Sequence, residues 1–112
     1  MAGDFERLAA TGFEWDEVKS NANLIKHGIS FDDASEIFYG PVVVKTSTRN
    51  NEERWIAIGK SHDQIVTVIF TRRNDSIRII SARRPRPDEK RAYREATMGR
   101  SSQGKNRLGA LW

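Results

Sequence analysis

Arginine is concentrated in residues 77–96, which read IRIISARRPRPDEKRAYREA. Five arginines fall between positions 78 and 91, and another follows at position 94. Guanidinium groups are planar, forked donors that stay protonated, so they match the oxygens of a phosphate group. So many cations on one short segment favour an anionic partner, which we interpret as the phosphate backbone of RNA. On this interpretation the RNA-binding residues are Arg73, Arg78, Arg84, Arg86, Lys90, Arg91 and Arg94.

The same segment predicts a strand, a turn and a helix. Residues 77–83 alternate as in a strand. Pro85 and Pro87 cannot donate to a strand ladder, so they predict a turn. Asp88 is placed to cap a helix over residues 88–98. Tyr93 lies on that helix, where a position at the edge of the core and a catalytic phenol both remain open.

Charge is distributed unevenly along the chain. Residues 1–40 carry three Lys/Arg and eight Asp/Glu, whereas residues 41–112 carry sixteen and seven, within an overall net charge of +4. This asymmetry points to an anionic partner for the basic half. The absence of cysteine excludes disulfides, thiolate zinc sites and a cysteine nucleophile. Two distant histidines make a poor metal site, so we expect neither a metal nor another cofactor.

The length of 112 residues predicts one domain, over residues 13–98, between an N-terminal tail (1–12) and a flexible C-terminal tail (99–112). No apolar run approaches the roughly 20 residues that span a bilayer. The N-terminus lacks the charged and apolar regions of a signal peptide. We therefore expect a cytoplasmic protein without membrane contacts.

Two helices are predicted in the acidic half. Asp16 can cap a helix over residues 17–26 that ends at Gly28. Its apolar side is predicted to consist of Val18, Leu24 and Ile25. Ser30 opens a second helix as part of a capping box, and Gly40 ends it. Its core-facing residues are predicted to be Phe31, Ala34, Ile37 and Phe38.

Four strands are predicted over residues 42–47, 54–60, 65–72 and 77–83, and their short connections make them an antiparallel meander. The fold class is therefore α+β, with two N-terminal helices, a four-stranded antiparallel sheet and a C-terminal helix. Two-residue turns would place Arg54, Arg72 and Arg78 at one end of the sheet and Arg83 at the other. A slip of one residue in the strand register would move each side chain to the opposite face of the sheet. The turns therefore predict that these three arginines share one end of the sheet, but not which face each of them is on.

Several motifs, in their order along the chain, resemble the BrnT family of ribonuclease toxins. They are FEWD at 13–16, NLIKHGISF at 23–31, ERWIAIG at 53–59, TRR at 71–73, RIISAR at 78–83 and RAYR at 91–94. The resemblance covers about residues 13–97 and implies a RelE-like fold. It carries functional roles over to Lys26, His27, Arg54, Arg73 and Arg83. Whether Arg72 or Arg73 faces the site remains open.

The resemblance also implies an endoribonuclease that arrests growth as the toxin of a type II toxin–antitoxin pair. The implied partners are RNA and a BrnA-type antitoxin, a small DNA-binding protein that neutralises the toxin. Operator DNA would be reached only through that antitoxin.

Metal-independent RNA cleavage needs a base for the 2′-hydroxyl, stabilisation of the phosphorane charge and an acid for the leaving 5′-oxygen. Arginines can stabilise the charge, but a guanidinium is a poor base. Proton transfer would then fall to Lys26, His27, Tyr93 or a carboxylate such as Glu36 or Glu53. The predicted catalytic residues are Lys26, His27, Arg54, Arg72, Arg83 and Tyr93. The alternative is a non-catalytic module that binds nucleic acid or docks an acidic partner.

Overall fold

The computed structural model describes residues 12–49 and 52–97, and the predictions for both tails and for the turn at 50–51 lie outside these ranges. The sheet consists of β1 (Phe13–Glu14), β2 (Val43–Arg49), β3 (Glu52–Ser61), β4 (Gln64–Arg73) and β5 (Ser76–Arg83). Its strand order is β1-β5-β4-β3-β2. The predicted antiparallel meander is confirmed. Phe13 and Glu14, at the start of the FEWD motif, contribute a fifth strand, which pairs in parallel with β5.

The predicted register at both turns is also confirmed. Ser47 lies opposite Arg54, and Thr71 lies opposite Arg78. A bulge then interrupts the pairing of β4 with β5, because Phe70 pairs with Ile79 but Ile69 pairs with Ser81. Ile80 is therefore an extra residue in β5, and it reverses the alternation of side chains beyond it.

Two helices and a 3₁₀ helix cover one face of the sheet: α1 (Glu17–His27), α2 (Phe31–Ser35) and the 3₁₀ segment Glu36–Tyr39. The predicted caps are confirmed. Asp16 accepts hydrogen bonds from the first turn of α1, Gly28 ends it with a left-handed φ of 75°, and Ser30 caps α2. The core between these helices and the sheet includes the four predicted residues and the sheet residues Ala57, Val66, Val68, Phe70, Ile77, Ile79 and Ala82.

The predicted apolar side of α1 was wrong. Val18, Leu24 and Ile25 are exposed, whereas Ser20 and Asn23 are buried. The Asn23 amide donates to the carbonyl oxygens of Ile29 and Ala82, both at 2.8 Å, and the Ser20 hydroxyl accepts from the Phe31 backbone. These bonds satisfy backbone groups of β5 and of the loop before α2. Specific hydrogen bonds, rather than apolar burial, therefore set the orientation of α1.

The C-terminal helix, α3 (Pro87–Thr97), lies on the opposite face of the sheet and packs against β2 and β3. Its start differs from the prediction. Pro87 is the first helical residue, and the backbone of Lys90 bonds to the carbonyl of Arg86. Proline suits this position because the N–H it lacks would have no partner within the helix. Asp88 is thus inside the first turn rather than the cap. The buried side of α3 consists of Glu89, Tyr93 and Ala96.

None of the described helices is long and apolar enough to cross a membrane.

Gly59 lies where β3 passes closest to the 3₁₀ segment. A Cβ atom at this position would be 2.8 Å from Val42 Cγ1 and 2.9 Å from Ile37 Cβ. We expect Gly59→Ala to lower the free energy of unfolding by roughly 1–3 kcal/mol, because the core cannot accept the added methyl group without shifting. Urea unfolding of the two proteins measures this difference. Gly40→Ala is the matched control, since a Cβ there would meet nothing within 4 Å. Equal losses for the two variants would contradict the expected overpacking.

Candidate active site

The sheet face that carries α3 also carries arginines from three strands. Three rows of side chains cross it, as the strand register shows. The first row is Ser47, Arg54, Thr71 and Arg78; the second is Lys45, Ile56, Ile69 and Ser81; the third is Val43, Ile58, Thr67 and Arg83. In the third row Ile58 and Thr67 are buried, whereas the first two rows are half-exposed or exposed. We call this surface, defined by Arg54, Arg73, Arg78 and Arg83, the basic face.

The bulge in β5 is what places Arg83 on the basic face. Regular alternation would put Arg78 and Arg83 on opposite faces, because their positions differ by five, an odd number. The extra residue Ile80 shifts the alternation by one, so Arg78 and Arg83 lie on the same face. The core-facing residues of β5 are Ile77, Ile79 and Ala82. The first and third rows are four residues apart along β3, about 13 Å. The basic face is therefore long enough to contact more than one phosphate of a bound strand.

Three arginines of the basic face, Arg54, Arg73 and Arg78, each have a glutamate partner. Arg54 Nη2 lies 2.7 Å from Glu52, Arg78 Nη1 lies 3.2 Å from Glu14, and Arg73 Nη1 lies 4.0 Å from Glu14. All of these side chains are a quarter or more exposed. Exposed ion pairs of this kind contribute little free energy, so a phosphate can compete for these guanidinium groups.

Arg83 is held much more firmly than the other arginines. Its Nη1 and Nη2 donate to the two carboxylate oxygens of Glu89 at 2.9 and 3.0 Å. The Thr67 hydroxyl and the Arg86 backbone N–H also donate to Glu89, at 3.0 and 2.8 Å. Arg83 Nη1 further donates to the carbonyl of Arg84. This leaves Arg83 Nε without a hydrogen bond to another described residue, so its guanidinium is fixed but still has a donor to offer.

Glu89 is ionised in the fold although it is buried. Burial alone would raise the pKa of the Glu89 carboxyl. The hydrogen bonds from Arg83, the Arg86 backbone and Thr67, together with the charge of Arg83, outweigh burial and lower that pKa from 4.5 to about 2. Glu89 is not among the site residues predicted from the sequence. The sequence nevertheless contains a signal for Glu89. A glutamate at the third position of a helix often accepts a hydrogen bond from the backbone N–H of the residue just before the helix, here Arg86, as in a capping box.

The structure separates Arg72 from the other predicted catalytic arginines. Its guanidinium carbon lies 5.6 Å from the centre of the Trp55 ring. Trp55 packs against the core on the sheet face that α1 and α2 cover. Arg72 therefore lies on that face, opposite to the face of Arg73. The register of the tight turn was predicted correctly, but only the pairing of the strands shows that Arg73, and not Arg72, is on the basic face.

Lys26 and His27 lie in the last turn of α1. They follow Asn23 by three and four residues, which places them on the same side of α1. Asn23 bonds to both the N–H and the carbonyl of Ala82, the neighbour of Arg83. Neither Lys26 nor His27 has a side-chain hydrogen bond or ion pair with another described residue. Within residues 12–49 and 52–97, no group of three or more His, Cys, Asp or Glu side chains could hold a metal ion.

A groove of about 980 Å³ lies between α3 and the β3–β4 turn. It brings together three of the predicted RNA-binding residues, Arg84, Lys90 and Arg94, and adds Lys60, which the sequence analysis missed. Tyr93 also lines the groove, and burial raises the pKa of its phenol above the usual 10.0. The shift favours the neutral phenol, which can donate a hydrogen bond. Arg86 and Arg91 are exposed outside the groove.

Comparison with protein-family models gives a match over residues 15–89. The matching model is the ribonuclease toxin BrnT of type II toxin–antitoxin systems. The matched range contains the strands of the basic face, Arg83 and Glu89, but it ends before Tyr93. No curated protein and no solved structure matches the chain significantly.

Proposed function

The chain belongs to the BrnT family of ribonuclease toxins of type II toxin–antitoxin systems, and we propose that it is an endoribonuclease that cleaves RNA without a metal ion and thereby arrests growth. One observation supports this proposal above all. The basic face presents arginines from β3, β4 and β5 on one side of the sheet, and its innermost arginine, Arg83, is fixed by a buried carboxylate. Fixed cations of this kind can stabilise the charge that develops on a phosphorane.

In this mechanism Arg83 acts at the scissile phosphate. Glu89 holds two of its nitrogen atoms, and the N–H at Nε is available to a non-bridging phosphate oxygen. Arg54, Arg73 and Arg78 bind the neighbouring phosphates, exchanging their exposed glutamate partners for RNA. The substrate supplies its own nucleophile, the 2′-hydroxyl, so the protein needs to provide only charge stabilisation and proton transfer.

Proton transfer is assigned to residues at the same end of β5. Lys26 or His27 is assigned to take the proton from the 2′-hydroxyl, since Asn23, three and four residues before them on α1, bonds to the backbone of Ala82, the residue before Arg83. Tyr93 would donate to the leaving 5′-oxygen, because burial raises the pKa of its phenol and so favours the protonated form. The RNA strand continues along the α3 groove past Arg84, Lys90 and Arg94, with Arg86 and Arg91 at its margin.

The proposed partner is a BrnA-type antitoxin, which would neutralise the toxin and contact operator DNA itself. A small reading frame immediately downstream of the toxin gene would encode it. Co-expression of that frame should restore growth to cells that produce the toxin. Failure of every neighbouring frame to restore growth would contradict this part of the proposal.

Arg54 and Arg72 provide a matched pair of variants. Arg54→Ala should lower the rate of RNA cleavage about tenfold, because it removes one exposed phosphate contact worth about 1.4 kcal/mol. Arg72→Ala removes the same charge from the opposite face and should leave the rate nearly unchanged. Both rates are measured with purified protein and RNA in excess EDTA. Equal losses would show that net charge, rather than position on the basic face, controls activity.

The same assay separates cleavage from binding. Loss of cleavage in EDTA, with recovery in Mg²⁺, would contradict metal independence but not the ribonuclease activity. RNA that binds with a strong salt dependence and stays intact under both conditions would identify a non-catalytic binding module instead.

A further inference from the structure

The groove beside α3 places a carboxylate among cations. Four of the residues that line it are positively charged: Lys60, Arg84, Lys90 and Arg94. Among the described residues of the lining, Asp63 is the only aspartate or glutamate. Its carboxylate has no hydrogen bond or ion pair with another described residue, so none of the four cations is in direct contact with it. A carboxylate on the path of RNA repels the phosphates, so a groove that served only as a phosphate track would not need it.

Asp63 is part of a turn that is attached to α2. Ser61 pairs with Gln64, so His62 and Asp63 form a two-residue turn between β3 and β4. The Ser61 hydroxyl donates to the Asp33 carbonyl at 2.7 Å, and His62 Nε2 lies 3.2 Å from the Asp33 carboxylate. The φ of Asp63 is 67°, a conformation that glycine usually supplies in such a turn. Glycine would suit this backbone better, so the turn itself does not account for the carboxylate.

A nucleotide base can supply the donors that Asp63 lacks. Single-stranded RNA presents the Watson–Crick edges of its bases to a protein. On that edge guanine carries two adjacent donors, N1–H and the N2 amino group, which match the two oxygens of one carboxylate. Adenine, cytosine and uracil each carry an acceptor beside their donor, and that acceptor would face a carboxylate oxygen. A carboxylate in this groove therefore selects guanine.

The neighbours of Asp63 have the chemistry that the rest of a guanosine needs. Gln64 also lines the groove, and its amide can donate to guanine O6. Ile65 and Pro85 are half-exposed and offer apolar surface to the face of the base. The groove volume of about 980 Å³ lies at the upper end of the roughly 300–1,000 Å³ of typical ligand pockets. The groove therefore combines apolar walls, a few polar groups that can read a base edge, and cations for the flanking phosphates.

We propose that this groove is a base-specific subsite, in which the Asp63 carboxylate accepts hydrogen bonds from N1–H and the N2 amino group of a guanosine in single-stranded RNA. The proposal rests on the proposed ribonuclease function. Arg84, in the lining, directly follows Arg83 in the chain, and Tyr93 lines the groove as well. The bound guanosine is therefore a neighbour of the scissile phosphate.

Equilibrium binding of uncleavable RNA tests the subsite without requiring cleavage. The probes are short, fluorescein-labelled 2′-O-methyl oligouridines with one central guanosine, inosine or adenosine, and the methyl group blocks the 2′-hydroxyl nucleophile. Inosine differs from guanosine only in lacking the N2 amino group. By fluorescence anisotropy the full chain should bind the guanosine probe about tenfold more tightly than the inosine probe, because one hydrogen bond to a charged group is lost. The adenosine probe should bind no more tightly than the inosine probe.

Asp63→Asn and Asp63→Gly remove the carboxylate and keep the turn. Asparagine has a similar shape but only one acceptor oxygen, and glycine suits the φ of 67°. In both variants the guanosine and inosine probes should bind with nearly equal affinity. The lost negative charge should strengthen binding of the adenosine probe, so the guanosine and adenosine affinities should move in opposite directions. Far-UV circular dichroism and the urea midpoint should stay close to those of the parent chain.

Asp75→Asn is the matched control for charge. Asp75 is an exposed aspartate in the turn between β4 and β5, and it does not line the groove. Its substitution removes the same charge and should leave the ratio of guanosine to inosine affinity unchanged. Equal binding of the two probes by the parent chain, or an unchanged ratio in Asp63→Asn, would overturn the proposal. A similar rise in affinity for all three probes in Asp63→Asn would overturn it too, since Asp63 would then act only through its charge.

Failure of the subsite and failure of the ribonuclease give different results. RNA cleavage by a parent chain that binds all three probes equally would overturn the subsite alone. Selective binding of the guanosine probe, without cleavage of RNA in EDTA or in Mg²⁺, would support the subsite and contradict the ribonuclease. GMP that binds as tightly as the guanosine probe would overturn the assignment to RNA and assign the groove to a free guanine nucleotide.

Discussion

Arg83→Ala is expected to lower the rate constant of RNA cleavage by about 10²–10³-fold, the usual cost of removing one preorganised donor to a developing anion. Arg83 is the arginine whose position is most strictly determined, since Glu89 binds two of its nitrogens at 2.9 and 3.0 Å. Single-turnover cleavage of RNA in EDTA measures the effect, and relief of growth arrest is its counterpart in cells. A fully active Arg83→Ala protein would refute the assignment of the scissile phosphate to this position.

The loss of activity must be separated from a loss of stability. Arg83→Ala leaves the buried carboxylate of Glu89 without its ion partner, which can cost about 3–5 kcal/mol of folding free energy. The double variant Arg83→Met/Glu89→Gln removes both charges, and the new amide oxygen can still accept from Thr67 and the Arg86 N–H. We expect this double variant to regain most of the stability and none of the activity. Recovery of cleavage together with stability would show that Arg83 has only a structural role.

Glu89→Ala is expected to destabilise the fold by about 3–5 kcal/mol, because it leaves Arg83, Thr67 and the Arg86 N–H without their common acceptor. Glu89→Gln keeps the neutral hydrogen bonds and should cost about 1–3 kcal/mol. The Glu89→Gln variant should also cleave RNA more slowly with little change in KM, since in the proposed mechanism Glu89 positions Arg83 without contacting the RNA. Urea unfolding and initial rates over a range of RNA concentrations measure the two effects. A Glu89→Gln variant with wild-type kcat would contradict the positioning role.

The same carboxylate predicts a specific dependence of stability on pH. The pKa of Glu89 is lowered in the fold from 4.5 to about 2, so the ionised form stabilises the fold at pH values above about 4.5. This contribution of about 3 kcal/mol is lost as the pH falls from about 5 to about 2. The free energy of unfolding of the parent chain should therefore decrease more steeply over this window than that of Glu89→Gln. Parallel curves would show that Glu89 does not titrate with the lowered pKa.

Local sequence signals predicted much of the architecture. Asp16 and Ser30 cap their helices, Gly28 ends α1, and the turn residues set the register that places Arg54 beside Ser47 and Arg78 beside Thr71. These features depend on residues close together in the chain, so they can be read without the fold. The prediction for α1 was wrong because its attachment depends on Ala82, whose backbone groups are 59 residues away along the chain.

The sequence by itself determined the α+β class, the antiparallel meander, the concentration of arginine near the end of the domain and the family resemblance. Only the tertiary structure decided which arginines share one face of the sheet. The extra residue Ile80 turns Arg83 toward the face of Arg78, the pairing of β3 with β4 directs Arg72 onto Trp55, and the docking of α3 brings Glu89 to Arg83. The physical reason is that a bulge of one residue reverses every side chain beyond it. Its position depends on pairing between strands, which the local sequence does not specify.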